Sequence, residues 1–120
     1  MSDSLSFADI YKHDRDILEV CPHDEIEISA DNMDELQSMI NANPGAMLLM
    51  INRCHEYSYS FGALQHIRAL KNIKALALLF SNLSESYIAQ VIRGNKDRSD
   101  YPIETFLDKE DAIKWLSSHR

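Results

Sequence analysis

A chain of 120 residues fits one domain and can close a single buried core without staples. Its hydrophobic content of 45% and charged content of 26% are those of an ordinary globular protein. A net charge of −7 and a pI near 5.1 argue against a nucleic-acid binder, which must offer phosphates a basic face.

The charge is unevenly spread. Residues 1–60 carry 12 acids against Lys12, Arg15 and Arg53, a net of −9, whereas residues 61–120 carry 9 bases and 7 acids, a net of +2. The only basic knot, RGNKDR (Arg93–Arg98), reads as a solvated loop after a helix end at Gly94. No apolar run approaches the length of a membrane span. The opening MSDSLSFADI carries acid where a signal peptide would carry base, so a cytoplasmic location is expected. In that compartment Cys21 and Cys54, 33 residues apart with no CxxC spacing, are expected to be free thiols.

In chain order, FADIYKHD and DILEVC read as two strands turning at Asp14-Arg15. In the second, Leu18 and Val20 face one way and Ile17, Glu19 and Cys21 the other. EIEIS alternates through Ile26 and Ile28, as a short extended segment or the approach to a helix. Asp31 is the expected N-cap of that helix. Asp34 and Glu35 favour its dipole, Met33, Leu36 and Ile40 form its stripe, and Asn43-Pro44-Gly45 ends it.

AMLLMIN (Ala46–Asn52) has no polar face and reads as a central strand covered on both sides, as in parallel sheets. FGALQHIRALKNI then reads as a helix with Ala63, Leu64, Ile67 and Leu70 buried. KALALLF (Lys74–Phe80) is a second apolar strand. Ser84 is expected to cap a third helix that buries Tyr87, Ile88, Val91 and Ile92. YPIETFLD is a last strand, with Pro102 near its start where a missing N–H is tolerated. Asp108 caps a final helix burying Ala112, Ile113, Leu116 and part of Trp115. The expectation is one α/β domain over residues 1–120: a mixed sheet with a parallel centre, joined by right-handed crossovers and layered by about four helices.

NRCHEYSYSF (Asn52–Phe61) gathers the residue types of chemistry directly after the central strand. Cys54, His55 and Glu56 are ligand types, but three consecutive side chains do not converge on one ion, and no second spaced pair exists, so no metal is expected. His55 is equally ill-placed to activate its neighbour Cys54, although His66 could lie nearer. Ser58 and Ser60 precede a helix, where a hydroxyl caps an orphan N–H and where phosphate is also welcome. In open α/β sheets ligands lodge outside the carboxyl ends of parallel strands. That rule groups Asn52, Cys54, His55, Tyr57, Ser58, Tyr59 and Ser60 with Ser81 and Ser84 beside one crevice. Met33, Met39, Met47 and Met50 read as core filler rather than a lipid stripe.

Four stretches, DILEVCPHDEIEISADNMDEL, MLLMINR, IKALALLFSNLSES and PIETFLDKEDAIKWL, in this order resemble the STAS superfamily (sulfate transporter and anti-sigma-factor antagonist). The resemblance is to its SpoIIAA-like branch of small stand-alone bacterial proteins, and Ser58-Tyr59-Ser60 is similar to what branch members carry after this strand. It implies a non-enzymatic module that binds a protein partner or a small anionic or lipid-like ligand, with no cofactor. It also implies a switch: a phosphorylated serine directly before a glycine, at the start of the helix after the central strand, with an aspartate closing that strand. Here Asn52 stands in the aspartate's place and Phe61 precedes Gly62, so the serine does not transfer directly, and Ser58 and Ser60 are the displaced candidates for phosphorylation. Two other classes remain open: a small thiol enzyme or redox sensor using Cys54, and a structural homodimer joined through the Phe7–Tyr11 edge or the Met-rich helix.

Overall fold

A computed structural model of the chain describes residues 5–43, 45–52, 57–67, 69–80 and 101–120. The opening strands form as expected, β1 (Ala8–Asp14) and β2 (Ile17–Pro22), paired antiparallel with a register shift between Lys12 and Asp14. EIEIS resolves into a strand, β3 (Ile26–Ile28), entered through Glu25 at φ 57°.

Helix α1 (Ala30–Asn41) starts two residues earlier than the sequence suggests. Its cap is Ser29, not Asp31: the Ser29 hydroxyl accepts from Asn32 N, and the Asn32 side chain accepts in return from Ser29 N at 2.9 Å. A reciprocal box satisfies two backbone donors at once, which a single aspartate at position 31 would not. Asp31 lies instead in the first turn, where its charge still suits the dipole.

The apolar run becomes β4 (Met47–Asn52), fully buried up to Ile51. Tyr57–Tyr59, where the sequence announces no strand, forms β5, paired in parallel with β3 through Ile26, Glu27 and Ile28. Helix α2 (Phe61–His66) is shorter than its apolar stripe implied, ending at Ile67, although Ala63, Ile67 and Leu70 are buried as expected. Gly62 lets α2 lie against α1, since a Cβ there would sit 3.3 Å from that of Ala30. β6 (Ile73–Leu79), β7 (Ile103–Phe106) and α3 (Lys109–Ser117) complete the described elements.

The main sheet has the order β1-β2-β4-β6-β7, parallel from β2 onward, and β3-β5 form a second, two-stranded sheet. Period-two alternation sends Leu18, Val20, Leu49, Ile51, Leu76 and Leu78 to one face, where Met33, Leu36 and Ile40 of α1 and Ala63 of α2 meet them. Ile17, Leu48, Met50, Ala75, Ala77 and Leu79 point to the other face, against Ala112 and Leu116 of α3. Met33, Met47 and Met50 are core residues, each no more than 1% exposed. The mixed α/β sheet is therefore as expected, but about four helices are not found among the described residues. The described residues hold two long helices, α1 and α3, and the six-residue α2. The helix expected from Ser84 lies outside the described residues, as does the RGNKDR cluster. Among the described residues no helix is long and apolar enough to cross a membrane.

Candidate functional site

Strand β2 should bury only apolar side chains on both faces, yet Glu19 is among them. It is the one charged residue buried among the described residues, its side chain 3% exposed. It faces α3 with Ile17, and lies opposite Tyr11 on β1 and Met50 on β4. A carboxylate there must be fully paired to persist.

Three elements supply partners. Asn52, the last residue of β4, donates from Nδ2 to Glu19 Oε2 at 2.6 Å. His13, near the end of β1, places Nε2 2.5 Å from Glu19 Oε1. Lys109, the first residue of α3, puts Nζ 3.2 Å from the same oxygen. Lys109 is carried there by the N-cap Asp108, which accepts from Glu110 N and Asp111 N and so fixes where α3 begins. Burial alone would push the Glu19 carboxyl up. The hydrogen bonds from Asn52, His13 and Lys109, and the lysine's charge, outweigh it and hold the carboxyl below the usual glutamate range.

The carboxylate is therefore held ionised by its three donors. Because ionised Glu19 only accepts, His13 donates from Nε2, and Nδ1 is the acceptor of the neutral ring. The Asn52 amide is oriented in the same way, and its Oδ1 has no partner among the described residues. Ring and ammonium reach solvent, with His13 28% and Lys109 46% exposed, while the anion beneath them does not. The result is a set of fixed polar groups that reaches, through Asn52 and Lys109, the carboxyl end of the central parallel strand, where open α/β sheets bind ligands.

The other residues grouped by the sequence divide. Ser60 is the N-cap of α2, its hydroxyl accepting from Ala63 N at 3.1 Å. Ser58 and Tyr57 belong to β5, opposite Glu27 and Ile26. Tyr59 packs against the core on the α1 and α2 side, away from the Glu19 face. Only Asn52 of the described set joins the polar cluster. Cys54, His55, Ser81 and Ser84 lie outside the described residues. His66 is directed to α1, its Nδ1 3.6 Å from Asp34. Among the described residues no group of three metal-ligating side chains converges.

Two expectations change. Cys21 is disulfide-bonded rather than a free thiol, and the chain's other cysteine is Cys54. The apolar side chains of the Phe7–Tyr11 edge turn inward, with Phe7 5% and Ile10 3% exposed, leaving Asp9 and, at 48%, Tyr11 outward. Sequence reasoning missed Glu19, His13 and Lys109. The signal was one acid among ILEVC on a face shared with Ile17 and Cys21. Comparison of the chain with family models, with curated proteins and with solved structures finds no match.

Proposed function

We propose that the protein is a non-enzymatic binding module of STAS type, SpoIIAA-like, that recognises a protein partner or a small anionic or lipid-like ligand at the carboxyl end of β4. The saturation of Glu19 carries this reading. A general base must be able to take a proton at working pH, whereas Glu19 is held ionised by three donors. What that arrangement does well is immobilise Asn52, His13 and Lys109 before a ligand arrives, which lowers the ordering cost of binding. Two antiparallel strands followed by parallel strands alternating with helices support the family reading. That reading makes this a bacterial, cytoplasmic signalling protein akin to anti-sigma-factor antagonists.

The test is affinity capture from the source organism with identification of the retained species. Wild type retains a stoichiometric partner or ligand, and His13→Ala/Lys109→Ala, which leaves the buried Glu19 in place, loses it. Equal retention by both proteins overturns the site. A switch at Ser58 or Ser60 belongs to the same proposal: Ser58→Asp or Ser60→Asp changes the retained amount without unfolding the protein.

The Cys21 disulfide favours a second reading, a redox sensor involving Cys54. Cytosolic disulfides are mostly transient and redox-linked. Retention that is the same before and after reduction counts against it.

A further inference from the structure

A groove of about 270 Å³ opens where the β1–β2 turn meets the start of β4, lined by Lys12, Arg15, Asp16, Asn43, Gly45, Ala46 and Met47. The fold assembles it from two distant pieces of chain. The irregularity after Lys12 breaks the regular β1–β2 register just before the turn. The turn is then fastened to the start of β4 by the bond from Leu48 N to Asp16 O, at 2.7 Å.

The charges around this groove are unequal. Arg120, at the end of the chain, donates to Asp14 at 2.5 Å and to both oxygens of Asp16 at 3.0 Å, so both nearby acids are already engaged. Lys12 and Arg15 are exposed and make no salt-bridge contact with a described carboxylate, although the Arg15 charge helps to hold the Asp14 carboxyl low. Three cations, Lys12, Arg15 and Arg120, thus face two acids, a local excess of positive charge on a chain of net charge −7. Between the Lys12 and Arg15 cations and the core the wall is apolar, made by Ala46 and the buried Met47. The volume falls just below the range of roughly 300–1,000 Å³ usual for ligand pockets, which limits the occupant to a small molecule.

We propose that this groove binds a small organic anion, a carboxylate on a short apolar chain. Its head meets Lys12 and Arg15, and its tail lies on Ala46 and Met47. The site shares no residue with the proposed recognition surface, although Lys12 precedes His13 in β1. Each can therefore fail without the other.

Gly45 supplies a clean test, since a Cβ built there meets nothing within 4 Å. Its φ is not positive, so Gly45→Leu fits the backbone and occupies the groove. The experiment is a titration of the full chain with hexanoate, followed through the amide NMR signals of Gly45, Ala46 and Met47. Hexanoate is expected to shift these signals saturably, and 1-hexanol and inorganic phosphate to bind markedly more weakly. The charge variant Lys12→Gln/Arg15→Gln is expected to weaken hexanoate about tenfold, and Gly45→Leu to abolish the shifts. No saturable shift, or equal binding of hexanol or phosphate, overturns the proposal. So does a charge variant that binds like wild type, an arm that decides even if Gly45→Leu fails to fold, because Lys12 and Arg15 are both exposed.

Discussion

Asn52 Nδ2 donates to Glu19 Oε2 at 2.6 Å, joining the last residue of β4 to a carboxylate buried in β2. The two lie on strands that pair in parallel through Val20 and Ile51. The bond therefore adds side-chain pairing where the backbone ladder runs out. Asn52 stands where the resemblance expects an aspartate. A second acid beside Glu19 would repel it, whereas an amide can donate.

Removing the anchor should cost more than a surface ion pair would. Glu19→Ala leaves the Asn52 amide without its acceptor and opens a gap between β1 and α3. The exposed Lys109 recovers water. A loss of about 2–3 kcal/mol is expected, read from urea unfolding. Lys109→Ala, acting at an ammonium 46% exposed, should cost under about 1 kcal/mol.

Acid should reveal the same anchor. The folded Glu19 carboxyl lies below its unfolded value of 4.5, so its stabilisation is complete above that value and is lost as pH falls through the folded one. Glu35, held by Ser6 N and Oγ, shifts in the same direction. Stability measured against pH should fall less steeply below pH 4.5 in Glu19→Gln than in wild type.

The cap of α1 separates two substitutions that look alike in sequence. Ser29→Ala removes the reciprocal box and should lower stability by about 1 kcal/mol. Asp31→Ala removes only a dipole contact and should cost about 0.5 kcal/mol or less. Thermal unfolding of the pair distinguishes them.

Cys21 should resist alkylation in the folded protein and in denaturant alike until a reductant is added. Peptide mapping with iodoacetamide, before and after reduction, reads this directly. Modification of Cys21 without reductant contradicts its disulfide-bonded state.

What could be read from sequence was what depends on neighbours in the chain. AMLLMIN announces β4 because an unbroken apolar run has nowhere to lie but between two layers. Asp108 announces α3 because the cap and the acids after it are adjacent. Ser29 was missed in favour of Asp31 because ISADN offers several capping types within a few residues, and only the backbone decides which one has the extended conformation. β5 was missed because three residues carry little periodicity and its partner, β3, lies 31 residues earlier. The site was half legible for the same reason. Asn52 follows from its place at a strand end. Of the partners of Glu19 only His13 is near in the chain, across the β1–β2 turn, whereas Asn52 and Lys109 come from the distant β4 and α3.

The most direct test of the account is the titration of the Glu19 carboxyl carbon by NMR in the intact protein. An anchored anion that positions Asn52, His13 and Lys109 for binding should titrate below 4.5, together with a His13 ring that keeps its proton on Nε2 when neutral. A Glu19 midpoint near neutrality would make it a proton acceptor beside a histidine, and would contradict the binding module in favour of an enzyme.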